Sequence, residues 1–237
     1  MLVRPAPILA PLTTFVLLAG CAPTAPGRQD PPPDRAADPT VAITGSVDPD
    51  GTDTPEEFEK DIRGSQLIAE QYWEQRLGGS FQAIRQVIPY ERDGEVDCAG
   101  QPLPRNNAVY CSAGDFIAYD VNWAFAAFQQ IGDAFVYYLL GHEYAHGVQA
   151  RLGIRKEFTI EQELQADCMA GAFIGDMARQ QVLTMQDGDT QELADGLAAV
   201  GDDPGQPWFA PGSHGTPQQR FQSFADGYEN SLAACNL

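Results

Sequence analysis

"YYLLGHEYAHGVQARLG", residues 137–153, decides how the chain folds and what its chemistry is. It carries two of the chain's three histidines, His142 and His146, four positions apart, with Glu143 directly after the first. Upstream, "NWAFAAFQQIGDAFV" is also apolar and helix-forming, so the pattern predicts one helix over 122–153 that stops at Gly153. Residues four apart project from one helical face, so both imidazoles can meet a single cation. Phe135, Tyr138 and Leu139 share that face, which turns the histidines toward the core. Glu143 lies about 100° round the same turn, placed to hold a water beside a metal without binding the metal itself. A His-Glu-x-x-His string arises by chance in roughly one such chain in five hundred, so composition does not explain it.

A catalytic zinc takes three protein ligands and keeps a fourth position open. Beyond His146, "TIEQ" at 159–162 has the form of a capping box, Gln162 answering Thr159, and starts a helix through "ELQADCMAGAFIGDMARQQ". On it Glu163 and Asp167 share one face. Glu163 can supply the third ligand, and Asp167 can accept the free ring N–H of a ligand histidine, His142, fixing its tautomer. Two histidines and one carboxylate favour Zn2+, although other divalent ions accept the same set. Cys168 points off this face and reads as a disulfide partner.

The termini bound the rest. Residues 1–20, "MLVRPAPILAPLTTFVLLAG", read as a signal peptide, and "LAGC" has the form of a lipobox ending at Cys21. The expectation is a bacterial lipoprotein, lipidated on Cys21 and held on the extracytoplasmic face of the cell membrane; an ordinary secretory signal with a chance cysteine is the alternative. Residues 21–54, rich in Pro, Asp, Gly and Thr, read as a disordered tether, and 55–237 as one domain. With 14 basic and 33 acidic residues the net charge is −19, a surface that repels nucleic acid.

Four cysteines follow Cys21: Cys98, Cys111, Cys168 and Cys235. An even number in an exported chain points to two disulfides, and of the three connectivities the turn-rich segment after Cys98 favours Cys98 with Cys111, leaving Cys168 with Cys235. Thr54-Pro55-Glu56-Glu57 opens a helix whose core side includes Phe58, Ile62, Ile68, Tyr72 and Trp73. "NAVYC" and "DFIAYDV" read as short strands. "TQELADGLAAV" and "TPQQRFQSFADGYENSLAAC" read as two further helices, the last with a Thr216–Gln219 box, core residues Phe221, Phe224 and Tyr228, and Arg220 paired with an acid. The fold class is mainly α (α+β), with a small β element near the disulfide loop.

In order, "GHEYAHGVQ", "ELQADCMAGAF", "ELADGLAAVGDD", "SHGTPQQR" and "FADGYE" resemble the bacterial family of neutral zinc metallopeptidases, over about residues 55–237. Members often read HEYGH, where this chain has Ala145 in place of the glycine. The resemblance implies a helical, gluzincin-like peptidase acting on a peptide or protein. Its mechanism would use Zn2+ on His142, His146 and Glu163, with Glu143 as general base. His214, in "SHGTPQQR", either donates to the oxyanion of the tetrahedral intermediate or serves as a loop and capping residue. A reading from another class is a catalytically inactive, zinc-stabilised lipoprotein module that binds a partner; a closed four-ligand site would favour it.

Overall fold

The computed structural model describes residues 54–237; the expected signal peptide, Cys21 and the expected tether up to residue 53 lie outside them. Helix α1, Pro55–Leu77, opens as its sequence dictates, with Thr54 Oγ1 accepting the Glu57 N–H and Pro55 in the first turn. Phe58, Ile62, Ile68, Tyr72 and Trp73 are all buried along it.

Five strands follow: β1 Gln86–Tyr90, β2 Asp97–Cys98, β3 Gln101–Pro102, β4 Ala108–Cys111 and β5 Phe116–Asp120. β2 and β3 form a small hairpin, while β1, β5 and β4 form a sheet in that order, β1 parallel and β4 antiparallel to β5. Pro89 sits in β1, an edge strand, where its missing N–H costs least. Cys98 and Cys111 are bonded to each other, which staples the hairpin to β4.

Four of the remaining five helices are α3 Ala134–Leu152, α4 Thr159–Arg179, α5 Asp189–Ala199 and α6 Pro217–Asn230, and the fifth, α2 Val121–Ile131, precedes α3. The single helix expected over 122–153 is therefore two. Gly132, at φ 132°, breaks it, and a Cβ there would run into the Glu192 carboxylate, which accepts the Ala134 N–H at 3.2 Å. An acceptor from α5 thus starts α3 and replaces the hydrogen bonds a continuous helix would have made. At its other end α3 stops at Gly153, in the left-handed region at φ 68°.

α3 is the central helix, buried almost throughout from Ala134 to Gln149. Arg151, near its end, ties the sheet to it by donating to the Gln82 and Ala83 carbonyls and to Asp115. α4 packs on α3 on one side and on α6 on the other, where Gly171, Gly175 and Gly227 let the helices meet backbone to backbone. At the start of α4 the box differs from the sequence expectation: Glu161 reaches back to the Phe158 N–H, and Gln162 accepts instead from the Lys156 N–H. The helix begins one residue earlier than Thr159 as cap requires, so the acid at its third position does the capping. The Thr216–Gln219 box on α6 is formed.

Phe221, expected in the core, is 44% exposed. Arg220, Phe224 and Gly227 form the inward stripe of α6 because Arg220 must enter the interior to meet its acid. That rotation leaves Phe221 facing solvent and Tyr228 half-buried. After α6 a short 3-10 turn, Ser231–Ala234, leads to Cys235, bonded to Cys168 on α4. No helix among the described residues is long and apolar enough to cross a membrane.

Candidate metal centre

α3 and α4 cross where His142, His146 and Glu163 face one another. His142 Nε2 lies 3.1 Å from Glu163 Oε2 and 3.1 Å from His146 Nε2, which is 3.4 Å from Glu163 Oε1. Donor atoms bound tetrahedrally at the 2.0–2.1 Å usual for zinc stand roughly 3.3 Å apart, so these three side chains have the spacing and the chemistry to hold that ion. Among the described residues no fourth histidine, cysteine or acid joins them.

Electrostatics points the same way. Burial opposes charge on His142, yet the Asp167 carboxylate and the bond to Glu163 outweigh it and push its pKa up to about 10. Burial raises Glu163 too, but the two imidazoles hold it well below the usual carboxylate range.

Asp167 is fully buried and accepts from three sides. His142 Nδ1 and the Tyr138 hydroxyl each donate to Oδ1 at 2.8 Å, and Arg220 donates to Oδ2 at 2.8 Å and to Oδ1 at 2.9 Å. Against its desolvation, Arg220 and His142 pull its pKa down. A carboxylate only accepts, so the proton on His142 Nδ1 is fixed and Nε2 is left to face Glu163. Arg220 is thus buried beside the centre, reaching Asp167 from α6.

Glu143 is not among the donors of the cluster. Its Oε2 accepts the Tyr110 N–H of β4 at 2.7 Å, which holds the carboxylate between the strand and the histidines. His142, Glu143, His146, Glu163 and Arg220 line one cleft of about 1110 Å³, with β4 along one wall. His214 stands on the lip of that cleft, half exposed, its N–H donating to Asp202 Oδ2 and its Nδ1 3.5 Å from Asp202 Oδ1. Gln149 is a site residue that the sequence pattern does not single out. Its Oε1 accepts from His146 Nδ1 at 2.8 Å, and its place three residues after His146 on the same helix is the signal that marks it.

Residues 46–237 match the family described as "Putative neutral zinc metallopeptidase". The chain belongs to that family. It is similar to the uncharacterized protein YpfJ of Escherichia coli strain K12, 30% identical over 188 residues, which cover 68% of this chain and 64% of the relative. The protein of the same name from Escherichia coli O6:H1 matches to the same extent. The chain therefore spans about 64% of the length of the curated relatives it matches. No solved structure matches it.

Proposed function

We propose that the chain is a zinc metallopeptidase, tethered through a lipid on Cys21 to the extracytoplasmic face of a bacterial membrane. The observation that carries the reading is the meeting of His142, His146 and Glu163 at tetrahedral ligand spacing, with Glu143 beside them on the wall of an open cleft. Those three side chains would hold the ion, and bound there zinc would acidify a water and polarise a peptide carbonyl. Glu143, oriented by the Tyr110 N–H, takes a proton from the attacking water and returns it to the leaving amine. Asp167 keeps His142 in the tautomer that presents Nε2.

An extended peptide suits the cleft because β4 pairs with β5 on one side only and turns its other edge toward Glu143. His214, half exposed on the lip beside Asp202, would turn to the oxyanion as a hydrogen-bond donor. The leader and tether expected before residue 55 give the membrane attachment.

The test is zinc content measured together with cleavage of a quenched peptide library. Cleavage lost on chelation and restored by zinc supports the peptidase. Zinc bound at one equivalent with no peptide cut would favour the inactive binding module. Incorporation of a labelled lipid precursor by the wild type and not by Cys21→Ala checks the anchor, and an unlabelled wild type removes it.

A further inference from the structure

The buried amides around the metal centre form a chain with a fixed direction, and their role depends on the zinc site proposed for His142, His146 and Glu163. Gln149 is 1% exposed. Its Nε2 donates to the Gln162 backbone carbonyl at 2.9 Å and to Gln165 Oε1 at 3.0 Å. A backbone carbonyl can only accept, so the amide nitrogen must face it and Oε1 must face His146. His146 Nδ1, 2.8 Å away, therefore carries the proton, and its Nε2 lone pair is left toward His142 and Glu163.

Gln165 obeys the same rule. Its Nε2 donates to the carbonyls of Cys235 and Asn236, both at 2.9 Å, so its Oε1 must turn to Gln149. Those carbonyls belong to the C-terminal segment that Cys235 bonds to Cys168 on α4. The direction of every hydrogen bond from the tail to the imidazole is thus dictated by groups that cannot reverse their role.

We propose that Gln149 is the positioning residue for His146, and that the disulfide-tethered C-terminal segment, acting through Gln165, sets its orientation. The two histidines are then held by different means. Asp167 holds His142 with a charge that Arg220 balances, whereas a neutral amide holds His146 and adds no further negative charge to a buried site already containing Glu143, Glu163 and Asp167.

The experiment compares wild type with Gln149→Met, Gln165→Met and Gln149→Glu. Zinc affinity is measured by competition with a chromophoric chelator, and the His146 ring tautomer by 15N NMR of the metal-free protein at pH 8. Gln149→Met is expected to weaken zinc about 10- to 100-fold, the range for losing such a partner. It should also release His146 from the Nδ1–H form, while His142, still held by Asp167, keeps its Nδ1 proton. Gln165→Met should shift both readouts in the same direction by less. Gln149→Glu retains an acceptor and should keep His146 protonated on Nδ1, which a merely structural role would not require. Unchanged affinity and an unchanged His146 tautomer in Gln149→Met would overturn the assignment, and a silent Gln165→Met would remove the tail from it. A wild type that binds no zinc would instead defeat the metal reading, since the tautomer is read without metal.

Discussion

Replacing Arg220 by methionine tests the buried charge system that orients His142. The substitution keeps much of the apolar stem but removes a bidentate partner from Asp167, which is 0% exposed, leaving that carboxylate with only the Tyr138 hydroxyl and His142. Breaking a buried ion pair from one side costs about 3–5 kcal/mol, because the surviving charge stays desolvated. For a domain of this size that corresponds to roughly 6–20 °C in melting temperature. The pH dependence carries a sign. Asp167 has its pKa lowered in the folded state, so its contribution is present above the unfolded value of 3.8 and is lost as pH falls through the folded one. Without Arg220 desolvation dominates, the folded pKa rises, and the penalty is felt above it. Urea unfolding should therefore show a large deficit for Arg220→Met at pH 7 that narrows toward pH 4. The double variant Asp167→Asn/Arg220→Met should recover much of the loss at pH 7, since it leaves no buried charge unpaired. A deficit below 1 kcal/mol at pH 7, or one of equal size at both pH values, would refute the pairing as the source of the stability.

Two further substitutions probe the packing that positions the site. Burial, with Asp133 and Asp189 beside it, raises Glu192 from 4.5 to about 7, so folding is penalised as pH rises through that window. Glu192→Gln, which can still accept the Ala134 N–H, should be more stable than wild type by about 1 kcal/mol at pH 8, allowing for its partial exposure, and equal to it near pH 4. Thermal melts at the two pH values check this, and a difference that does not depend on pH contradicts it. Gly171→Ala should destabilise by roughly 2 kcal/mol despite the better helix propensity of alanine, because the added Cβ collides with the Phe224 carbonyl on α6. A neutral or stabilised variant in chemical denaturation would show that α4 and α6 are free to separate.

What the sequence discloses depends on whether the deciding contact is local. The histidine pair, the candidate third ligand Glu163 and the caps at Thr54 and Thr216 follow from spacing along one helix or from one turn; the first three side chains lie on α3 and α4, and the two threonines cap α1 and α6. The break at Gly132 depends on an acceptor from α5, nearly sixty residues away, so a run of helix-formers conceals it. β1 is hidden by Pro89, which only its edge position makes tolerable. Phe221 departs from expectation because its apolar spacing with Phe224 ignores the demand of Arg220 for the interior. Gln149 is marked in the sequence only by its spacing from His146; what fixes its direction is the Gln162 carbonyl and Gln165 on α4, contacts no local pattern records.

The measurement that bears most directly on the proposed chemistry compares wild type with Glu143→Gln on a broad quenched peptide library, with zinc content determined for both. Glu143 lies outside the ligand cluster and a glutamine can still accept the Tyr110 N–H, so zinc and fold should be retained while the proton acceptor is lost. Cleavage by the wild type that falls by at least about 100-fold in a variant still carrying one zinc is the expected result. Cleavage that persists undiminished in Glu143→Gln, with zinc bound, would contradict a mechanism in which this carboxylate moves the proton.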